Sequence, residues 1–338
     1  MSVFDALIIG GGQAGLATGY YLRKHKLDFV ILDEQPGPGG AWRTMWPSLT
    51  LFSPANASNL PGWPMPHFEG FPPAKHVVDY LTRYEQRYDL PVRRPVTVAS
   101  VDYDAEDDAF TVRTADGATF RARSVVAATG TWTAPFVPAL PGRFAGTQWH
   151  SVTYPGPDAF AGQTVAVVGG ANSGAQIAAE LALDDAVGDV TWYTRGAPRW
   201  MPDDVDGRVL FQRNRERMLA VARGEPDPGA DTNLGDIVMV TPVLRARDAG
   251  LLQATEMFSS LDDVSAEHLI WCTGFRPALR PIRHLLDGED VKDHVHGLIL
   301  VGYGTWTGPG SATITGVAPY AKQAARDVAE RLGRFNGS

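Results

Sequence analysis

The sequence predicts an α/β fold built on two parallel sheets, and three observations predict it. Short, continuously apolar runs such as Ala6–Ile9 and Val165–Val168 have the composition of strands buried on both faces. Each of these two runs leads directly into a glycine-rich turn and then a helical pattern. Gly-turn strands recur at 124–130, 269–275 and 298–304, where a chain crossing between units would place them. With 338 residues, 44% of them hydrophobic, two domains are expected.

The first unit runs strand (6–9), turn, helix (16–25) and second strand (29–32). Its turn, Gly10-Gly11-Gly12-Gln13-Ala14-Gly15, fits G-x-G-x-x-G. Each glycine has a physical task. Gly10 permits the tight exit from the strand, Gly12 lets a pyrophosphate approach the backbone, and Gly15 lets helix and strand pack closely. Gln13 and Ala14 open the helix, whose free N–H groups and positive dipole end face the phosphates. Asp33 closes the second strand and can accept hydrogen bonds from ribose hydroxyls, with Glu34 and Gln35 following it. Strand, turn, helix, strand and terminal acid together specify a dinucleotide site suited to FAD or NAD.

The second unit repeats the arrangement: strand 165–168, the turn Gly169-Gly170-Ala171-Asn172-Ser173-Gly174, helix 175–183 and strand 190–194. Ala171 replaces the middle glycine. The strand ends in Thr194-Arg195 rather than an acid. A guanidinium there can pair with a 2′-phosphate, which a carboxylate would repel, so this site suits NADPH, with NADH as the alternative. Arg195 has a second reading, as a solvated loop charge. Two such units imply FAD and a nicotinamide in contact for hydride transfer.

Thr129-Gly130 and Thr273-Gly274 end strands at the two crossings. The C-terminal segment 298–304, with Gly302, followed by a helix from about 315 to 332, suits a return to the first domain. The expected organisation is therefore two Rossmann-like dinucleotide-binding domains, the FAD domain discontinuous. Its first segment is 1–157, the NAD(P)H domain follows at 158–284, and the FAD domain resumes at 285–338. His150 falls at the expected hinge, either as a structural residue bonding the linker backbone, the favoured reading, or as a support for docked nicotinamide. The irregular aromatic stretch 42–71 reads as a lid carrying Trp46 and Phe52 toward substrate, or as a satellite core over the sheet edge. Residues 212–222 read as a helix followed by a loop, and 202–207 as a helix-capping turn rather than a calcium loop.

Composition narrows the partners. The net charge of −8 without a basic run argues against nucleic acid. A single cysteine, Cys272, excludes an internal disulfide, a Cys-x-x-C couple and a cysteine-rich zinc site; its place in an apolar strand marks a small buried hydrophobe, and no metal is expected. The N-terminus does not read as a signal peptide and no apolar run reaches membrane-spanning length, so a cytoplasmic protein is expected. Oligomeric state is not legible, and a homodimer stays open.

Phe144-x-Gly146-x-x-x-His150-x-x-x-Tyr154, followed by Pro155, resembles the fingerprint of the flavin-containing monooxygenases, above all the small bacterial ones. It is also similar to the Baeyer–Villiger and arsenic-resistance-associated enzymes. Gly39-Gly40-Ala41-Trp42 and Asn172-Ser173-Gly174 look like the same family. The resemblance implies FAD reduced by NAD(P)H, O₂ adding at the flavin C4a to give a (hydro)peroxide, and oxygen passed to a small soft nucleophile or inserted beside a ketone. Gly40, Trp42, Thr129, Gly130, Gly302 and Thr305 would join the FAD site. Aligned from Trp46-Pro47-Ser48, the family's active-site Asn falls at Phe52. The family's acidic partner for the ribityl chain is replaced by Gly302-Tyr303-Gly304, leaving backbone groups, Thr305 or Thr307 to serve. A flavin reductase or a non-catalytic redox sensor are the rival readings.

Overall fold

The computed structural model describes residues 3–229, 235–286 and 295–334. The first sheet collects strands from both ends of the described chain. β1 (Val3–Ile9) pairs in parallel with β2 (Phe29–Leu32) on one side and β6 (Thr119–Ala127) on the other. β3 (Val92–Arg93) continues the sheet beyond β2. β6 is nine residues long and serves two further neighbours on its edge away from β1. Its first half pairs antiparallel with β5 (Ala109–Thr114), which in turn pairs with β4 (Val98–Asp104). Its last three residues pair in parallel with β12 (Leu298–Leu300), so the C-terminal segment does return to the first sheet.

Register decides where a site can form. Ile9 lies opposite both Leu32 and Ala127, and Ala127 opposite Leu300. Four strands therefore end in one row, and the residues just beyond them face a common crevice, where ligands of open parallel sheets bind. Helices α1 (Gln13–Lys24), α2 (Ala74–Arg87) and α6 (Ala318–Arg331) belong to the core on one face of this sheet, with Leu16, Leu22, Ile31, Val77, Leu81 and Val328 at or near zero exposure. The meander strands form a separate core around Phe110, Val112 and Val125.

The second sheet is wholly parallel, in the order β10 (Ala254–Glu256), β9 (Val190–Thr194), β8 (Val165–Val168), β11 (His268–Trp271), β7 (Thr147–His150). Its strand ends also share a row: Val168 lies opposite Tyr193 and Trp271, and Trp271 opposite His150. Helices α3 (Asn172–Ala182) and α5 (Thr241–Asp248) complete its core. Between them in sequence, α4 (Gly207–Ala222) lies beside segment 309–319.

Two placements differ from the expectation. β7 precedes residue 158 yet belongs to the second sheet, so His150 is the end of an edge strand and not part of a linker. The aromatic stretch 42–71 is neither a free lid nor a single satellite core. Leu51, Ala55, Leu60 and Met65 pack into the first core, while Trp46, Leu49, Phe52 and Phe71 pack with the second. Apolar side chains of one segment are thus shared between two cores. The turn before α4 does cap the helix, with Asp206 Oδ1 accepting from the Arg208 N–H at 2.8 Å. The loop expected after α4 includes 230–234, which lie outside the described residues.

Candidate functional site

Beyond the strand ends of the first sheet lies a cavity of about 940 Å³. Gly10, Gly12, Gln13, Ala14, Asp33, Glu34, Gln35, Gly40, Trp42, Thr129, Gly130 and Gly302 all line it. The chain brings these together from four regions because four strands end in one row. Gly15 lies behind the lining: a Cβ there would stand 1.9 Å from the Gly10 carbonyl oxygen, so α1 meets β1 only through a glycine. Gly12 and Gly40 face one another, with a Cβ on Gly40 only 2.8 Å from the Gly12 Cα. Gly40 has no room for a side chain on its face toward Gly12. The α1 N-terminus has no side-chain cap and no acidic residue in its first turn, which leaves its N–H groups to an anion.

Side chains around the cavity are already positioned. Gln13 Nε2 donates to the Ala312 carbonyl at 2.6 Å while its Oε1 accepts from Trp42 Nε1 at 2.9 Å. Thr129 Oγ1 donates to the Ala278 carbonyl at 2.7 Å and lies 2.6 Å from the Tyr303 hydroxyl. Burial pushes the Tyr303 phenol up to about 12, so it stays protonated. Thr305 is exposed and outside the lining, and the Thr307 hydroxyl is engaged with the Tyr303 N–H at 3.0 Å and the Ser311 hydroxyl at 2.7 Å.

Asp33 carries a partner that the sequence did not announce. Its Oδ2 accepts from Arg94 Nε at 2.6 Å, and the same guanidinium grips both oxygens of Glu85 at 2.7 and 2.8 Å. Among the described residues Asp33 Oδ1 has only a long contact, 3.5 Å from the Gln35 N–H, and keeps capacity for a ligand hydroxyl. Burial raises the pKa of the neighbouring Glu34, and the Asp33 charge adds to this. Arg276, Arg280 and Arg283 also line the cavity, although they precede the expected return at 285. No spacing rule reaches these residues, because sheet topology alone carries them to the crevice.

The second glycine turn repeats the first in space. A Cβ on Gly174 would stand 2.0 Å from the Gly169 carbonyl oxygen, and one on Gly169 would stand 2.4 Å from the Cys272 carbonyl oxygen. α3 likewise begins without a side-chain cap or an acid in its first turn. Asn172 is used internally: its Oδ1 accepts from the Val238 N–H at 2.9 Å and its Nδ2 donates to the Asp236 carbonyl at 3.1 Å. Ser173 follows it in the first turn of α3. Arg195, just past β9, is exposed and has no side-chain hydrogen bond or ion pair among the described residues. Thr273 Oγ1 donates to the Phe136 carbonyl at 2.5 Å, and Gly274 is exposed with φ +83°.

His150 is buried, with its ring edge-on to Phe275 at 5.2 Å. Nδ1 accepts from the Val152 N–H at 3.3 Å, and Nε2 has no hydrogen-bond partner among the described residues. Burial lowers its pKa; the backbone of Gly274 and Phe136, beside the ring but outside bonding geometry, opposes this less strongly. Tyr154 closes the same stretch by donating to Glu180 Oε2 at 3.0 Å, and burial raises the Glu180 pKa. Trp46 and Phe52 do not line the cavity: Trp46 is buried in the second core and Phe52 lies 6.3 Å from the Phe211 ring on α4.

Residues 7–296 match the model of the family described as pyridine nucleotide-disulphide oxidoreductase. The chain is 42% identical to a flavin-containing monooxygenase from Stenotrophomonas maltophilia, covering 98% of this chain and 100% of that one with a TM-score of 0.85. The chain belongs to the pyridine nucleotide-disulphide oxidoreductase family, among its flavin-containing monooxygenases. It is an oxidoreductase of the monooxygenase type, and the family's coenzymes are FAD and NAD(P). The chain is also 29% identical to an uncharacterized CzcO-like oxidoreductase of Geobacillus kaustophilus, over 96% of this chain and 98% of the relative. A bacillithiol disulfide reductase from Bacillus cereus, 18% identical with a TM-score of 0.70 over 98% of this chain and 100% of that one, shares the fold alone. Among the described residues no helix is long and apolar enough to cross a membrane, and no cluster of acidic, His or Cys side chains could hold a metal.

Proposed function

We propose that this monooxygenase binds FAD in the 940 Å³ cavity and NADPH at the second glycine turn, and oxygenates a small soft nucleophile or a ketone. The observation that carries the reading is the paired glycine geometry: two sheets, each with a parallel strand leading into a turn closed by a Cβ-forbidding contact of about 2 Å and an uncapped helix behind it. A cradle of this kind fits a pyrophosphate.

In this reading the chain's residues divide the work. The N–H groups of Gly12, Gln13 and Ala14 hold the FAD pyrophosphate, and Asp33 Oδ1 accepts from its ribose. Gly40, Trp42, Thr129, Gly130 and Gly302 shape the walls around the rest. Gly169, Ser173 and Gly174 receive the second pyrophosphate, with Asn172 holding segment 236–238 in place. Arg195 pairs with the 2′-phosphate. Thr273 and Gly274 form the crossing between the units, and His150 supports that crossing as a neutral, buried ring. Trp46 and Phe52 act through packing, by anchoring segment 42–71 to the second core. Bound FAD supplies hydride acceptance and oxygen activation. The overall balance is substrate, O₂, NADPH and H⁺ to oxygenated substrate, NADP⁺ and H₂O.

The test is to purify the protein with FAD, supply NADPH and an aryl methyl sulfide or a cyclic ketone, and quantify oxygenated product and hydrogen peroxide together. Product in step with NADPH consumed supports the reading. Peroxide accounting for all of the NADPH, or protein that stays colourless with FAD, overturns it.

A further inference from the structure

Asp33, just past β2, is fixed through its backbone and its side chain alike. Its N–H donates to the Arg93 carbonyl at 3.1 Å, and its carbonyl accepts from the Val96 N–H at 2.8 Å. Its Oδ2 accepts from Arg94 Nε at 2.6 Å. Asp33 lines the first cavity, and its Oδ1 is the oxygen left without a strong partner among the described residues. We propose that Arg94 is a positioning residue for the flavin coenzyme: it holds Asp33 Oδ2 so that Oδ1 accepts from one hydroxyl of the adenosine ribose, and Glu85 holds Arg94 in turn. The inference deepens the coenzyme placement proposed above and rests on it.

One guanidinium makes both contacts. Nε faces Asp33, while Nη1 and Nη2 donate to the two oxygens of Glu85 at 2.7 and 2.8 Å. The bidentate fork fixes the plane of the group, which a single hydrogen bond would leave free to turn. Side-chain exposures of 10% for Arg94, 5% for Asp33 and 16% for Glu85 leave the cluster little screened by solvent. The three residues come from three elements: Asp33 follows β2, Arg94 follows β3, and Glu85 lies on α2. The pair also touches the first glycine turn. A Cβ on Gly11 would stand 2.6 Å from Asp33 Oδ2 and 2.8 Å from Arg94 Nη2, so a glycine there leaves the pair its space.

Neither Arg94 nor Glu85 lines the cavity. An effect of either on ribose recognition therefore passes through Asp33. Holding the carboxylate in one orientation removes an ordering cost from binding. It also gives one oxygen to the protein and the other to the ligand. A lysine at position 94 would keep the charge without the fork, and its single ammonium could not reproduce both contacts in fixed geometry.

For the test, flavin is stripped from the purified full chain. Calorimetry then measures binding of FAD and of two analogues, one lacking the 2′-hydroxyl and one the 3′-hydroxyl of the adenosine ribose. The variants are Arg94→Lys and Glu85→Gln, with circular dichroism reporting folding. The wild type should bind FAD at least about tenfold more tightly than one of the analogues, as a hydrogen bond to a charged group implies. In Arg94→Lys that ratio should fall below about threefold, and in Glu85→Gln it should fall partway. A folded variant that keeps the wild-type ratio, or that loses FAD and both analogues by the same factor, overturns the inference. Glu85→Gln decides alone if Arg94→Lys does not fold. A wild type that binds FAD and both analogues equally overturns the placement of the ribose at Asp33, and this inference with it.

Discussion

Arg94 and Asp33 form an ion pair of 2.6 Å with side-chain exposures of 10% and 5%. The same guanidinium neutralises Glu85, so one cation serves two carboxylates beneath the first glycine turn. Removing one partner of a buried pair leaves uncompensated charge, which costs about 3–5 kcal/mol. Arg94→Met should lose that much stability in urea unfolding. A loss under about 1 kcal/mol, the range of exposed pairs, would mean that water reaches the carboxylates.

The two Cβ-forbidding glycines separate the two coenzymes. Gly15→Ala should yield protein that loses flavin during purification, because α1 must shift from the Gly10 carbonyl. Gly174→Ala should retain flavin and lose tight NADPH binding. Flavin absorbance per protein and NADPH titration read the two effects. Full flavin content in Gly15→Ala would show that the cavity does not depend on the turn.

Arg195 tests phosphate discrimination. A hydrogen bond to a charged group contributes about 1.5–3 kcal/mol, roughly tenfold or more in affinity. Arg195→Ala should raise KM for NADPH by that factor and leave NADH nearly unaffected. Equal losses for both coenzymes would assign the side chain to solvent.

The pH dependence follows from His150. Its folded pKa is lowered from 6.5 by burial, so below that value the unfolded chain takes up a proton that the native chain refuses. Stability should fall as pH drops from about 7 to about 5. His150→Gln should make that slope shallower in urea midpoints. An unchanged slope would place the titration elsewhere.

Cys272 bears on the disulphide chemistry in the family's description. Burial pushes its thiol up to about 12 from 9.0, so the thiolate is scarce at neutral pH. An aromatic disulfide reagent at mildly alkaline pH should leave the native protein unlabelled and report one thiol in denaturant. The raised pKa adds stability in full below pH 9.0 and loses it as pH rises toward about 12.

Much of the first cavity was legible. Its glycines, Asp33 and Gln13 sit at fixed spacing from a strand end, and such spacing survives into three dimensions because strand, turn and helix are local. Asn172 was legible as part of a motif but not in its use, since its partners Asp236 and Val238 lie 64 and 66 residues away in sequence. Thr305 was placed by resemblance, and the short turn after β12 directs it outward. Trp46 and Phe52 read as active-site aromatics because apolar side chains look alike whether they line a pocket or fill a core.

The sequence by itself determined the two strand–turn–helix units, the absence of a dithiol and the identity of the residues at each glycine turn, all of which depend on near neighbours along the chain. Only the tertiary structure decided that β7 joins the second sheet, that Arg94 meets Asp33, and that 276–283 reach the first cavity. These depend on sheet register and on which cores share a segment, and both are fixed by packing between distant parts of the chain.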